Sequence, residues 1–260
     1  MCSDKTSSTT LTVVTVWDRT TRWFHWINVA CVLTLTVLGL VILNGDAFGI
    51  SGEGKILLKT LHVYTGYVFV VNLSWRLIWA FIGGIHARWS AILPFRSGFV
   101  SALKQSVRGL FTGKPPEYLG HDPLGRLMVT LLLVLLTTQA VTGLVLAGTD
   151  LYKPPLGGFM AEWVTGGDAE KLAQLKPGSK EFIDPAGYEE MRAFRKPVVN
   201  THLYVFYLLM ASIALHIAGV VVAEIRSKHG LVSAMIHGRK RLSGPPVDQV
   251  TEAGNPERPD

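Results

Sequence analysis

Eight histidines occur in the chain, and four of them stand out by position: His25, His62, His202 and His216. Each falls in or at the rim of a long apolar run, where an ionisable side chain is costly and marks function by default. A single such residue more often serves as a hydrogen-bonded structural histidine than as a ligand. The spacing of the four argues otherwise. His202 and His216 stand at i and i+14. On a helix that separation is about 40° short of four whole turns and about 21 Å along the axis, so both rings leave one face at two depths. His25 opens the first apolar run and His62 the second, which gives two opposed pairs, His25/His216 and His62/His202. Facing imidazoles inside an apolar helical bundle suit the axial positions of a b-type haem. Zinc is the weaker candidate, since it wants about four ligands in one shell and no Cys or carboxylate accompanies either pair.

Small and charged residues near the pairs extend the pattern. Gly39 follows His25 at i+14, Gly66 follows His62 at i+4, and Gly219 follows His216 at i+3. Glycine at such points lets a flat macrocycle approach the backbone, although small residues also serve simple helix packing. Arg76 follows His62 at i+14, on the same face at the other depth. Its guanidinium suits a haem propionate; the alternative is an arginine reaching to the membrane surface. Covalent c-type attachment is excluded, because the chain has two cysteines, Cys2 and Cys31, and no Cys-x-x-Cys-His.

The elements that must hold these residues are legible in the distribution of apolar side chains. Of the 260 residues, 48% are hydrophobic and only 17% charged, against about a quarter charged in soluble domains. That balance excludes a disordered chain and points to a membrane protein. Four segments, about 23–45, 60–84, 126–149 and 197–223, are long enough to cross a hydrocarbon core. The expected fold is an all-α membrane protein, a four-transmembrane-helix bundle. The first segment is too long for a cleavable signal core and lacks a small-residue cleavage site.

With both termini cytoplasmic, the inner segments carry 14 Lys and Arg and the outer loops 9, which favours that orientation. The 150–196 segment is then a periplasmic loop, rich in Gly and Pro, with a short helix expected over 168–175 and a docking surface as its natural use. Residues 228–241 read as an interfacial helix ending in Arg239-Lys240-Arg241, and 243–260 as a disordered tail. Residues 1–242 form one membrane domain. His121 begins His121-Asp122-Pro123, where Asp122-Pro123 reads as cap and first turn of the third span. That span has no histidine and reads as a wall of the bundle.

The residues resemble a known family. Trp17-Asp18-Arg19 through Arg22-Trp23-Phe24-His25-Trp26 is similar to the opening of the b-type cytochrome subunit of nickel–iron hydrogenases and its bacterial di-haem relatives. Leu61-His62-Val63-Tyr64-Thr65-Gly66, the Arg76–Gly83 stretch, Tyr118-Leu119-Gly120-His121-Asp122-Pro123 and the fourth-helix pair also match its pattern, with Asp122 where the family has Asn. The resemblance covers about residues 15–242. It implies two haem b groups ligated by His25, His62, His202 and His216, with electrons moving between a periplasmic redox protein or catalytic subunit and the quinone pool of a bacterial inner membrane. The 150–196 segment departs from the hydrogenase subunits, which leaves hydrogenase, a cytochrome c or another reductase open as partner. His121, Arg126 and Arg76 are the positional candidates for a quinone site, which needs a titratable or hydrogen-bonding group. The chain is then an electron-transfer subunit of a membrane oxidoreductase, with quinone oxidoreduction as its own possible reaction and no separate catalytic residues. No nucleic-acid partner is expected. The rival reading is a transporter or channel that uses the histidines for proton or metal-ion passage; the absence of internal repeats, broken helices and membrane carboxylates weighs against it.

Overall fold

In a computed structural model of the chain, residues 12–95, 97–112, 116–227, 230–242 and 246–248 are described. The order of elements is β1 (Thr12–Thr15), α1 (Arg19–Leu43), α2 (Gly52–Ile82), α3 (Trp89–Ile92), α4 (Phe99–Thr112), α5 (Pro123–Leu151), α6 (Gly157–Thr165), α7 (Ala169–Gln174), α8 (Pro185–Ser227), α9 (Leu231–His237) and β2 (Arg239–Leu242). Four of the helices, α1, α2, α5 and α8, are long and apolar enough to cross a membrane. Large apolar side chains along them face outward: Leu33 is 62% exposed, Val71 70% and Leu215 63%. Such runs of exposed Leu and Val are what a hydrocarbon environment permits and water does not. The third span has the largest buried share of the four, with Leu133, Leu135, Leu136, Ala140 and Ala147 turned inward.

The spanning helices start before the apolar runs do. Asp18 caps α1 by accepting the Thr21 N–H at 2.6 Å, and Asp122 caps α5 by accepting the Gly125 N–H at 2.8 Å, with Pro123 in the first turn as expected. α8 begins at Pro185, well ahead of the predicted fourth span, and runs through Pro197. The Asp184 carboxylate accepts the Gly187 N–H at 2.8 Å and so caps it. The polar stretch Glu189–Lys196 ends the apolar run, not the helix.

The chain divides into two compact units, which the spanning helices share. One comprises the described residues of Met1–His25, Arg76–Leu132 and Ser212–Asp260, and the other Trp26–Trp75 and Leu133–Ala211. In the first unit, the interfacial helix expected over 228–241 is corrected. α9 ends at Gly238, which adopts the left-handed φ of 80° and returns its N–H to Ala234. The basic triplet continues as β2, paired antiparallel to β1 with Thr12 opposite Leu242 and Thr15 opposite Arg239. Lys240 and Leu242 point inward, while Arg239 and Arg241 point outward, so the alternation of a strand replaces the stripe of a helix. Of the tail expected to be disordered, residues 246–248 are placed: the Asp248 carboxylate accepts the N–H groups of Leu119 and Gly120 at 2.7 and 3.2 Å. The remainder of 243–260 and Cys2 lie outside the described residues. α4 falls within 85–122, where no helix was expected, and turns Val100, Val107 and Phe111 outward beside Lys104 and Arg108. At 14 residues it is too short to span a membrane.

In the second unit the 150–196 segment is folded, not an irregular loop. Met160 and Val164 of α6 pack on Met191 of α8, ringed by Tyr152, Leu156, Trp163, Leu175, Ile183 and Tyr188. α6 closes on Gly166 at φ 65°, whose N–H returns to Glu162 and Trp163. The short helix expected over 168–175 is α7, capped by Asp168 through the N–H groups of Glu170 and Lys171.

Candidate functional site

Within the second unit, α2 carries His62 and α8 carries His202. Their ring centroids are 6.4 Å apart, with the planes at 70° in an edge-on arrangement. An imidazole nitrogen lies about 1.1 Å from the ring centre and binds a metal at about 2.0–2.1 Å, so two rings on opposite sides of one ion sit about 6.3 Å apart. The separation therefore suits one iron held from both sides. His62 Nδ1 is buried and makes no hydrogen bond, so the ring has bonding capacity that no neighbouring side chain uses. A Cβ added at Gly39 of α1 would come within 3.5 Å of His62 Cε1, and one at Gly66 would meet nothing within 4 Å. The first is an ordinary van der Waals distance, so α1 flanks the ring, and the second leaves free space one turn beyond it. The space at Gly66 fits a bulky flat group beside the pair.

Three further residues of this site carried no signal in the sequence, and all lie on one face of α5. Thr142 Oγ1 is 2.8 Å from His202 Nδ1, Gln139 Nε2 donates to the His202 carbonyl at 2.8 Å, and a Cβ at Gly143 would lie 3.5 Å from His202 Cε1. Thr and Gln are common in membrane helices for packing, so only the structure singles them out. A second missed cluster joins three helices. The Asp150 carboxylate of α5 accepts Lys59 Nζ of α2 at 2.7 Å, and Arg195 Nε and Nη2 of α8 at 2.5 and 2.9 Å. Its partners are 91 and 45 residues away, beyond any local charge pattern.

The first unit contains the other pair. His25 lies on α1 and His216 on α8, close enough for the two imidazoles to interact electrostatically. A Cβ at Gly219, one turn from His216, would meet nothing within 4 Å. Arg76 of α2 is 4% exposed. Its Nη1 donates to the Ala87 carbonyl at 3.1 Å, and its guanidinium lies 5.8 Å from the centre of the Phe24 ring, next to His25 in sequence. Such burial does not match an arginine extended to the membrane surface. Asp18 accepts Trp79 Nε1 at 3.0 Å. Burial pushes its carboxyl up, but the hydrogen bonds from Thr21 and Trp79, with the Arg76 charge nearby, hold it below the ordinary carboxylate value.

The other candidates named from position also gather in this unit. His121 stacks against Trp17 at 4.6 Å between ring centres, and its Nδ1 is buried without a hydrogen bond. Burial drives the His121 pKa down to about 3, helped by the positive charges of Arg76, Arg126 and Lys240 and by His86. The imidazole is therefore neutral at physiological pH. Burial also lowers the Lys240 ammonium, against the pull of Asp122, Asp248 and Glu117, while its Nζ donates to the Tyr118 carbonyl. Trp17, Asp18 and His86 line a cavity of about 250 Å³ in the same unit. Among the described residues no three His, Cys, Asp or Glu side chains converge as a metal cluster.

A family model described as prokaryotic cytochrome b561 matches residues 16–238. The chain belongs to the prokaryotic cytochrome b561 family. As a member the cytochrome is an integral membrane protein of helical bundle type, consistent with a bacterial inner membrane, and a haem b electron carrier. It is 27% identical over 241 residues to a probable Ni/Fe-hydrogenase B-type cytochrome subunit of Rhizobium leguminosarum bv. viciae, covering 87% of this chain and 88% of that one. A protein of the same description from Azotobacter vinelandii is 31% identical over 163 residues, covering 59% and 67%. One from Bradyrhizobium diazoefficiens is 25% identical over 244 residues, covering 88% and 86%. No solved structure matches the cytochrome significantly.

Proposed function

We propose that this cytochrome conducts electrons across the bacterial inner membrane through two b haems, between a periplasmic redox partner and the quinone pool. His62 and His202 would hold the outer haem, and His25 and His216 the inner one. The observation that carries the reading is the approach of the His62 and His202 rings to 6.4 Å between centroids. Haem supplies reversible one-electron chemistry when bound. The protein's own part is to hold the rings, to seat the edge and propionates, and to keep water away. Gly39 and Gly66 let the outer group approach α1 and α2. Arg76, buried beside Phe24, offers a guanidinium to a propionate of the inner group.

The termini are cytoplasmic, as the Lys and Arg distribution favours, so a reporter fused after Asp260 reads as cytoplasmic. The partner is a hydrogenase catalytic subunit, a reading supported by what the relatives are called. Its docking surface is the folded 150–196 segment, and co-purification from native membranes checks this. Quinone chemistry takes up or releases protons along with electrons. His121, neutral and unbonded at Nδ1, with Arg126 and Arg76, supplies hydrogen-bonding groups for it at the inner end.

Liposomes that enclose ferricyanide test conduction directly. With the haem-loaded cytochrome in the bilayer, external dithionite reduces the trapped ferricyanide faster than in protein-free vesicles. Equal rates with and without the protein contradict the reading.

A further inference from the structure

We infer that Thr142, on the one spanning helix without a histidine, is a positioning residue that fixes the tautomer of His202 and lowers the potential of the haem it ligates. The inference rests on the assignment of His202 as an axial ligand.

The hydrogen-bond geometry around Thr142 decides the roles. Its Oγ1 lies 2.7 Å from the Thr138 carbonyl and 3.3 Å from that of Gln139. The single hydroxyl hydrogen is therefore directed into the backbone of α5, as Ser and Thr side chains do in helices. A lone pair remains, and it faces His202 Nδ1 at 2.8 Å. Two acceptors cannot share that contact, so Nδ1 carries the hydrogen and donates it to Thr142. In a neutral imidazole the other nitrogen then has the lone pair, which leaves Nε2 as the nitrogen able to bind iron. The Gln139 amide holds the backbone of the same residue through its carbonyl at 2.8 Å. A Cβ at Gly143 would lie in ordinary van der Waals contact with the ring edge, so α5 flanks His202 there as well. Residues 139, 142 and 143 lie one turn apart on one face, so α5 grips His202 at ring and backbone together.

Outer hydrogen bonds of this kind orient a ligand ring and make it a stronger donor to the metal. A stronger donor favours the oxidised iron, so loss of the bond raises the potential. The test is redox potentiometry of the purified, haem-loaded full chain. It compares wild type, T142V, which keeps the shape and loses the hydroxyl, and T142S, which keeps the hydroxyl, with H202A to identify the haem affected.

The expected result is a positive shift of one midpoint potential in T142V, in the haem that H202A lacks. The other potential is unmoved, and T142S lies near wild type. Transfer of that haem to apomyoglobin is about tenfold easier in T142V. If T142V fails to retain the haem while T142S keeps it, the inference stands. Two unshifted potentials in T142V, or equal haem loss in T142V and T142S, overturn it. Should H202A keep both haems, the ligand assignment falls first and the role of Thr142 with it.

Discussion

Around His62 and His202 the polar contacts come from a hydroxyl and an amide on α5, and the charges nearby are balanced by Asp150 against Lys59 and Arg195. The unit that holds His25 and His216 instead gathers Arg76, Arg126, Lys240, His86 and His121, with a cavity at Trp17 and Asp18. The difference separates two tasks. On the proposed reading, one unit holds the His202 ring in a fixed orientation. The other has buried cations and a neutral imidazole, the groups that anionic propionates and proton-coupled chemistry need.

The contrast can be broken at its strongest point first. His202→Ala removes one haem and spares most of the other, read as the pyridine haemochrome per chain; equal loss of both would mean the histidines are paired wrongly. Asp150→Ala leaves two cations facing each other between α2 and α8. With the carboxylate 13% exposed and its partners about a third exposed, the expected cost is about 2–3 kcal/mol. The thermal midpoint in detergent shows it, with no direct effect on the His25/His216 unit.

The third test uses pH. His121 is held near 3 in the folded protein and is about 6.5 when unfolded. Between those values the unfolded chain binds the proton and the native one does not. Stability is therefore fully present above about pH 6.5 and falls as pH drops through the window, by up to about 1.4 kcal/mol per pH unit. His121→Gln flattens this slope in denaturation curves at several pH values; an unchanged slope would assign it to another group.

The smallest effect is expected at Asp18. Asp18→Ala removes the α1 cap and the Trp79 bond for about 1–2 kcal/mol, measured by thermal unfolding. The carboxyl is lowered in the folded state, so its contribution is complete above the unfolded value near 4 and is lost as pH falls through the lower folded one. The wild-type and variant curves converge in acid.

What the sequence revealed, and what it hid, follows from the range of the forces involved. The four spans are local signals, set by apolar length, and the i, i+14 interval between His202 and His216 is a helix period readable along one element. The caps at Asp122 and Asp168 are likewise local. The ribbon was hidden because Thr12–Thr15 finds its partner near the opposite end of the chain, and Arg239–Leu242 has no pattern of its own until Gly238 stops α9. The start of α8 lies outside the hydropathy signal, because hydropathy marks where lipid begins, whereas Asp184 and Pro185 mark where the helix begins. Thr142, Gln139 and Asp150 gain their meaning only from partners on other helices.

The most direct measurement is haem extracted from the purified chain and counted against protein, on a sample whose near-infrared spectrum identifies the axial ligands. Two b haems per polypeptide, each with two imidazoles, is the expected value. A single haem, none, or a methionine-ligated iron would contradict the pairing of His62 with His202 and of His25 with His216.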